Sequence, residues 1–358
     1  MAVKQYSLNQ TLQEIVQNQL KPVVRRVDEE AYYPEEFFRE IGRSGLLNRQ
    51  GVPEAEILLN GLHLIEKTAQ TCMTTAFSFW CHLAALTYIR NSSNDFLKNE
   101  ILPKLETAEL RGGTGLSNPL KYNAGLEKLC LKAKRVPGGY VVSGQLPSVS
   151  NVGQDAWFGI IASVEKGDRI MAMVPCQADH LVLKERRNFL GLNGSATYTC
   201  VFRDVFVPDL WLISERADEF VQQVRAIFLL YQIPLGLGVT EASIRWIEKT
   251  KNKQGGCNQY LPVQADDLDQ KFQSLCRKTY QLAEADDLAD RWMDLLRVRL
   301  KVTYLTSQAV HAAMLHHGGG GYLQYSDSSR RLRESYFLVN LTPTVKHLEK
   351  LLKNPVSL

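Results

Sequence analysis

Apolar positions in the first 110 residues recur with helical spacing. Leu12, Ile15, Val16 and Leu20 keep a 3.6-residue period, and so do Phe37, Phe38, Ile41 and Leu46. Pro34 ahead of Glu35 and Glu36 reads as a first helical turn, where proline loses no hydrogen bond and acids suit the helix dipole. Gly45 reads as the stop of that helix. Pro53 to Arg90 is long, apolar and rich in small residues, which predicts a central bundle helix or helix pair. Asn94 to Leu105 predicts a shorter helix. Near Arg111 the pattern changes to alternation with turn signals, and it stays so to about Pro208. Leu129, Leu131 and Ala133 alternate with lysines, and Gly138-Gly139 turns into Tyr140-Val141-Val142. Trp157 to Ser163, Ile170 to Val174, Leu181 to Leu183 and Tyr198 to Val205 read as further strands.

Helical periodicity returns from Leu212. Phe220 to Lys249 reads as one long apolar helix, Asp266 to Ala289 and Asp290 to His316 as two more, and Lys251 to Pro262 as a mobile loop-rich insertion. A glycine turn at Gly318 to Gly321 precedes a helix from Ser326 to Leu338 and a tail helix to Leu352. The expected division is residues 1–110 helical, 111–211 β, and 212–358 helical.

The chain has 358 residues, 45% hydrophobic and 22% charged, enough for a large core. Its net charge of +4 comes from 42 basic and 38 acidic residues that are interspersed, which argues against a nucleic-acid or membrane patch. No charged-then-apolar start and no run of about 18 apolar residues is present, so no signal peptide and no membrane span are expected. The cysteines form no CxxC pair, which suits reduced thiols and a cytoplasmic location. His316 and His317 are adjacent on a helix and point about 100° apart, a poor arrangement for shared metal ligation. No metal is expected.

Five local patterns occur in collinear order. They are Ser78-Phe79-Trp80-Cys81-His82-Leu83 followed by Ile101-Leu102-Pro103; Gly115-Leu116-Ser117-Asn118-Pro119; Ser143-Gly144 through Ser148-Val149-Ser150-Asn151; Gly191 through Thr197, ending in Phe202-Arg203-Asp204-Val205-Phe206-Val207-Pro208; and Gly318-Gly319-Gly320-Gly321-Tyr322 with Arg330, Arg333 and Glu334 beyond. Together they resemble the acyl-CoA dehydrogenase superfamily from about Phe37 to Leu352. The resemblance implies a mainly α fold with a central β-domain: an N-terminal helical bundle, a β-barrel-like middle domain and a C-terminal four-helix bundle. It also implies FAD as cofactor. Leu116, Ser117, Ser148 and Ser150 would then lie along the flavin, and Gly318, Gly319 and Thr344 would approach the cofactor, the glycines from a neighbouring subunit. Rigid strands bearing uncharged hydroxyls suit the flavin ring edge. No G-x-G-x-x-G fingerprint is present.

The family's α-proton acceptor is a carboxylate, and here Thr342 stands in its place. The alternative family position falls near Ala226, with Tyr231 and Gln232 one turn on. Arg225 lies two residues before the arginine that meets the CoA phosphates. Thr342 and Tyr231 are therefore the candidate catalytic positions. The expected activity is α,β-dehydrogenation of an acyl thioester, carried on CoA or an acyl carrier protein, by a homodimer or homotetramer, with an electron-accepting flavoprotein as possible partner. The alternatives are a flavin-dependent monooxygenase on the same fold and a non-catalytic subunit that binds flavin or acyl groups.

Overall fold

The computed structural model describes residues 10–48 and 51–354. Residues 10–15 (α1) begin a helical path that continues through a π turn and a 3-10 turn into α2 (Val24–Glu29). α3 (Glu35–Arg43) starts after Pro34, buries Phe37, Phe38 and Ile41, and ends ahead of Gly45, whose φ of 74° favours glycine. The apolar stretch after Pro53 is a helix pair, α4 (Glu54–Thr71) and α5 (Met73–Asn91), separated by one extended residue, Cys72. α5 is buried on every side from Met73 to Ile89, as the axis of a large core must be. A π turn (Leu97–Ile101) and α6 (Leu102–Glu106) complete the N-terminal helices.

His82 joins this layer to the sheet. Its Nε2 lies 2.9 Å from the Leu105 carbonyl, and Nδ1 accepts from the Gly112 N–H at 2.9 Å. These backbone partners fix the tautomer with the proton on Nε2. Burial holds its pKa down to about 4.

Eight strands form one mixed sheet: β1 (Arg111–Thr114), β2 (Leu131–Val136), β3 (Gly139–Val149), β4 (Ala156–Ser163), β5 (Arg169–Pro175), β6 (Leu181–Glu185), β7 (Tyr198–Pro208) and β8 (Leu212–Ser214). Their order is β6-β7-β3-β2-β4-β5-β8, with β1 parallel to β4. Leu131, Val142, Phe158, Ile160 and Val205 are among the residues that give the sheet its own core. A short helix, α7 (Ser117–Asn123), follows β1 where strand-like alternation is expected to continue.

The stretch read as one helix over 220–249 is two, α8 (Ala217–Leu230) and α9 (Ile233–Thr250). Pro234 causes the break, because its ring clashes with the carbonyl four residues back and it has no N–H to donate. The most apolar 18-residue window of this stretch is 89% buried inside the fold, as a core helix is. Gly236 lets α9 approach α11 (Trp292–His317): a Cβ there would meet Val302 Cγ1 at 2.6 Å. α10 (Ala265–Ala283) opens with a capping box between Gln264 and Asp267 and ends six residues before the expected Ala289. The insertion expected to be mobile is anchored: buried Asn258 Nδ2 donates to the Thr250 and His316 carbonyls, both at 2.9 Å.

α12 (Asp327–Asn340) and α13 (Val345–Lys353) close the chain. Glu334 on α12 caps the start of α5, accepting from Thr74 N (3.1 Å) and Thr74 Oγ1 (2.7 Å), and pairs with buried Arg330 at 3.0 Å. Arg333 pairs with Asp28. Both arginines are thus tied inside the chain. Glu334→Ala leaves Arg330 without its buried partner, and we expect a loss of about 3–5 kcal/mol in denaturant unfolding. A loss below about 1 kcal/mol, the usual worth of an exposed pair, would contradict this role.

Candidate functional site

Four of the residues singled out from the sequence meet in one place. Ser117, Ser148, Ser150 and Thr342 line a cavity of about 100 Å³ whose remaining walls include Trp80, Phe77, Phe228 and Phe337. Ser117 begins α7 after β1, Ser148 and Ser150 flank the end of β3, and Thr342 sits between α12 and α13. Ser117 Oγ and Thr342 Oγ1 are 2.8 Å apart, a direct link between the sheet side and the C-terminal helices. Ser150 Oγ is 2.7 Å from Thr197 Oγ1, and Thr114 Oγ1 is 2.8 Å from Tyr88 OH. Asn151 adopts the left-handed region (φ 59°) and is held there by its side chain, which donates to Gly112 O at 2.8 Å and accepts from Tyr33 OH at 2.6 Å.

Thr342 is positioned from behind. Gln232, in the break between α8 and α9, donates to the Thr342 carbonyl at 2.8 Å, and its own Oε1 accepts from Arg299 Nε at 3.1 Å. Arg299 is fully buried on α11 and also donates to the Leu338 carbonyl at 3.0 Å and to Thr303 Oγ1. None of these acceptors is a carboxylate. Burial alone pulls the guanidinium pKa down to about 9.

The other sequence candidates lie elsewhere. Tyr231 is a correction: it faces a different small cavity with Glu54, Ile57 and Arg90, packs against Gly61, and burial pushes its pKa up to about 12. It neither reaches the hydroxyl cavity nor is built to ionise. Leu116 is buried in the core, and its backbone N–H donates to Thr114 Oγ1 at 3.4 Å. Thr344 caps α13, accepting from His347 N at 3.3 Å. Gly318 and Gly319 form a 3-10 turn, Gly318–Tyr322, beside His317 and Gln254 rather than at the hydroxyl cavity. Near this turn Arg331 keeps Nε and Nη1 without partners, and burial and the neighbouring Arg330 lower its pKa to about 10. Tyr322 beside it is 88% exposed.

A second, larger cavity of about 520 Å³ adjoins the first. Phe228 lines both, and the loop that gives Thr342 to one gives Pro343 to the other. The Phe228 carbonyl accepts from Trp80 Nε1 at 3.2 Å, which fixes this shared wall. Leu120, Val221, Leu229 and Leu351 make the chamber largely apolar. Arg169 and Asp218 form a bidentate pair on its wall between β5 and α8. Arg225 lies over the Trp292 ring at 4.8 Å, and burial lowers its pKa. His347, buried on α13, completes the wall. Sequence reasoning missed Phe228, Trp292 and His347, since an aromatic or histidine on an amphipathic helix carries no signal beyond core or surface.

The inner cavity has hydroxyl donors, flat aromatic walls and, among its described lining residues, no charged side chain. Its size admits only the reacting end or one edge of a ligand. The edge of a flavin ring, uncharged and planar with polar atoms, fits this donor set. Ser117, Ser148, Ser150 and Thr342 could hold it, and the glycine turn with Arg331 suits a phosphate-bearing group.

The family model for the acyl-CoA dehydrogenase N-terminal domain matches residues 4–109. The short-chain-specific acyl-CoA dehydrogenase of Clostridium acetobutylicum is 22% identical, over 93% of this chain and 92% of its own. The fold is that of a glutaryl-CoA dehydrogenase solved as its glutaryl-CoA complex (TM-score 0.87, 18% identity, 97% of this chain and 93% of that one). A glutaryl-CoA dehydrogenase from Mycobacterium smegmatis in complex with FADH2 gives a TM-score of 0.80 at 16% identity, over 99% and 94% of the two chains.

Gln232→Leu strips a partner from the buried Arg299 and from the Thr342 carbonyl. We expect it to cost about 2–3 kcal/mol in unfolding. The double variant with Arg299→Met recovers part of that loss, because no guanidinium is then left short of an acceptor behind Thr342. Simple additivity of the two changes would argue against the relay.

Proposed function

Since this chain belongs to the acyl-CoA dehydrogenase superfamily, we propose that it is an FAD-dependent oxidoreductase that dehydrogenates an acyl thioester. The observation that carries this reading is the apolar 520 Å³ chamber sharing Phe228 with the hydroxyl-lined cavity. An acyl chain in the chamber reaches the inner cavity past one aromatic wall. When bound, FAD supplies the hydride acceptor for such a dehydrogenation. The chain's own residues orient and exclude. Ser117, Ser148 and Ser150 offer uncharged hydrogen bonds, while Trp80, Phe77 and Phe337 keep water from the reacting end. Arg225 lies over Trp292 with no carboxylate partner among the described residues, which leaves its guanidinium to meet an anionic group on the carrier, the phosphate of CoA or of a carrier protein's pantetheine arm.

Thr342 positions rather than ionises. Its hydroxyl is bonded to Ser117, and a threonine hydroxyl is no proton acceptor without a base beside it. The lack of a carboxylate among the described residues lining the inner cavity favours one second reading, a non-catalytic subunit that binds flavin or acyl groups. In the catalytic reading, the glycine turn with exposed Tyr322 and Tyr325 is where a second copy packs in a homodimer or homotetramer, and an electron-accepting flavoprotein reoxidises the enzyme.

Anaerobic mixing of the purified holoprotein with butyryl-CoA is expected to bleach the oxidised-flavin absorbance. Tight binding without bleaching, across short and long acyl chains, would favour the non-catalytic reading. Arg225→Met is expected to raise KM for butyryl-CoA by roughly 10-fold or more, the worth of a charge-assisted hydrogen bond. It should leave S-butyryl-N-acetylcysteamine, which carries no phosphate, unchanged. An equal effect on both substrates would remove Arg225 from carrier recognition.

A further inference from the structure

Among the described residues, His347 is the one polar residue lining the large chamber that is itself buried, at 4% exposure. Neither of its ring nitrogens has a hydrogen-bond partner. A neutral imidazole carries one donor and one acceptor, and leaving both unmade away from water is costly. His82, equally buried, shows the ordinary solution, with both nitrogens bonded to backbone groups. The backbone that carries His347 is fixed on three sides. Thr344 caps the helix, Leu348 and Leu351 are buried beside it, and Lys350 Nζ donates to the Ala124 carbonyl at 2.8 Å, tying α13 to the end of α7. The unmet polar capacity therefore sits within the chamber wall, its nitrogens covered as the ring stands, and a turn of the ring presents one of them to the chamber.

Two roles suit a histidine there, and the surroundings decide between them. Burial first, then the charges of Lys350 and Lys121, hold its pKa down to about 4. A proton acceptor would have to take on a charge that these groups oppose. A neutral hydrogen-bonding partner takes on none. We propose that His347 is the specificity residue of the chamber, recognising a carbonyl or amide of the bound thioester by hydrogen bonds from its neutral ring. This rests on the acyl-thioester reading above. It sets a requirement on the ligand: a polar group must enter the otherwise apolar part of the chamber, so a plain hydrocarbon tail leaves the imidazole unsatisfied.

The test is binding rather than turnover. Acetoacetyl-CoA, already oxidised at the β-carbon and so not dehydrogenated further, is titrated calorimetrically into holoprotein of wild type, His347→Phe and His347→Gln. Phenylalanine removes both polar sites, and affinity should fall by about tenfold, the worth of one net hydrogen bond. Glutamine offers a donor and an acceptor and should stay within roughly threefold of wild type. In ring-15N-histidine spectra, one imidazole pair absent from the phenylalanine variant should shift when the thioester is added. That shift in wild type decides the matter even if the phenylalanine variant does not fold. Unmoved ring resonances, or equal affinity of the phenylalanine variant, overturn the proposal. Should butyryl-CoA bleach the flavin while His347 proves silent, only this inference falls. If the thioester binds through His347 without bleaching, the inference stands and dehydrogenation falls.

Discussion

The site depends on a buried chain of hydrogen bonds running from Arg299 through Gln232 to the Thr342 carbonyl, with the Thr342 hydroxyl meeting Ser117. It spans four separate parts of the sequence: α11, the α8–α9 break, the loop before α13 and the start of α7. A guanidinium buried without a carboxylate is tolerated only if neutral acceptors surround it, and Gln232, Thr303 and Leu338 supply them. Gln232 can serve because the helix is interrupted there. Pro234 forces that interruption, so a local backbone constraint places the amide that holds the C-terminal loop against the sheet. The two cavities exist because that loop stays where it is.

Chemistry follows from this geometry. The inner cavity concentrates neutral donors and aromatic walls, an environment that strengthens hydrogen bonds to an uncharged polar ring and excludes water. The outer chamber is largely apolar, with the Arg169–Asp218 pair, Arg225 and His347 among its polar features. That division suits a long ligand with a reacting end, an apolar stretch and an anionic handle. It also separates recognition from proton transfer: the groups best placed to bind are not groups whose surroundings favour taking a proton.

Much of the architecture was legible in the chain. A period-3.6 pattern located α3, a long apolar run marked the α4–α5 stretch as a helix or helix pair, and alternation with turn signals located most of the strands. Ser117, Ser148 and Ser150 were singled out by their place in collinear patterns, and Thr342 by standing at the family's carboxylate position; all four line one cavity. What was not legible depends on tertiary neighbours. The apolar run over 220–249 outweighs a single proline in a periodicity reading, so the α8–α9 break and the role of Gln232 were hidden. Tyr231, one turn from the expected site on a continuous helix, lies in that break and turns toward Arg90 and Gly61 instead. His347 sits among Lys346, Glu349 and Lys350, where it reads as part of a polar face; only the fold shows its ring buried and unpaired. Arg330 pairs with Glu334 on its own helix, and Arg333 with Asp28 far away in sequence, a contact that only the fold shows.

The central claim is that one ligand spans both cavities, with its reacting end beside the hydroxyls and its carrier beyond Phe228. A crystal structure of the holoprotein with S-butyl-CoA, a thioether that cannot be dehydrogenated, tests it directly. The account predicts the flavin ring edge against Ser117, Ser148 and Ser150, the butyl group at Phe228, and a carrier phosphate near Arg225. A flavin bound away from those serines, or a thioether seated outside the chamber lined by Phe228 and His347, would contradict it.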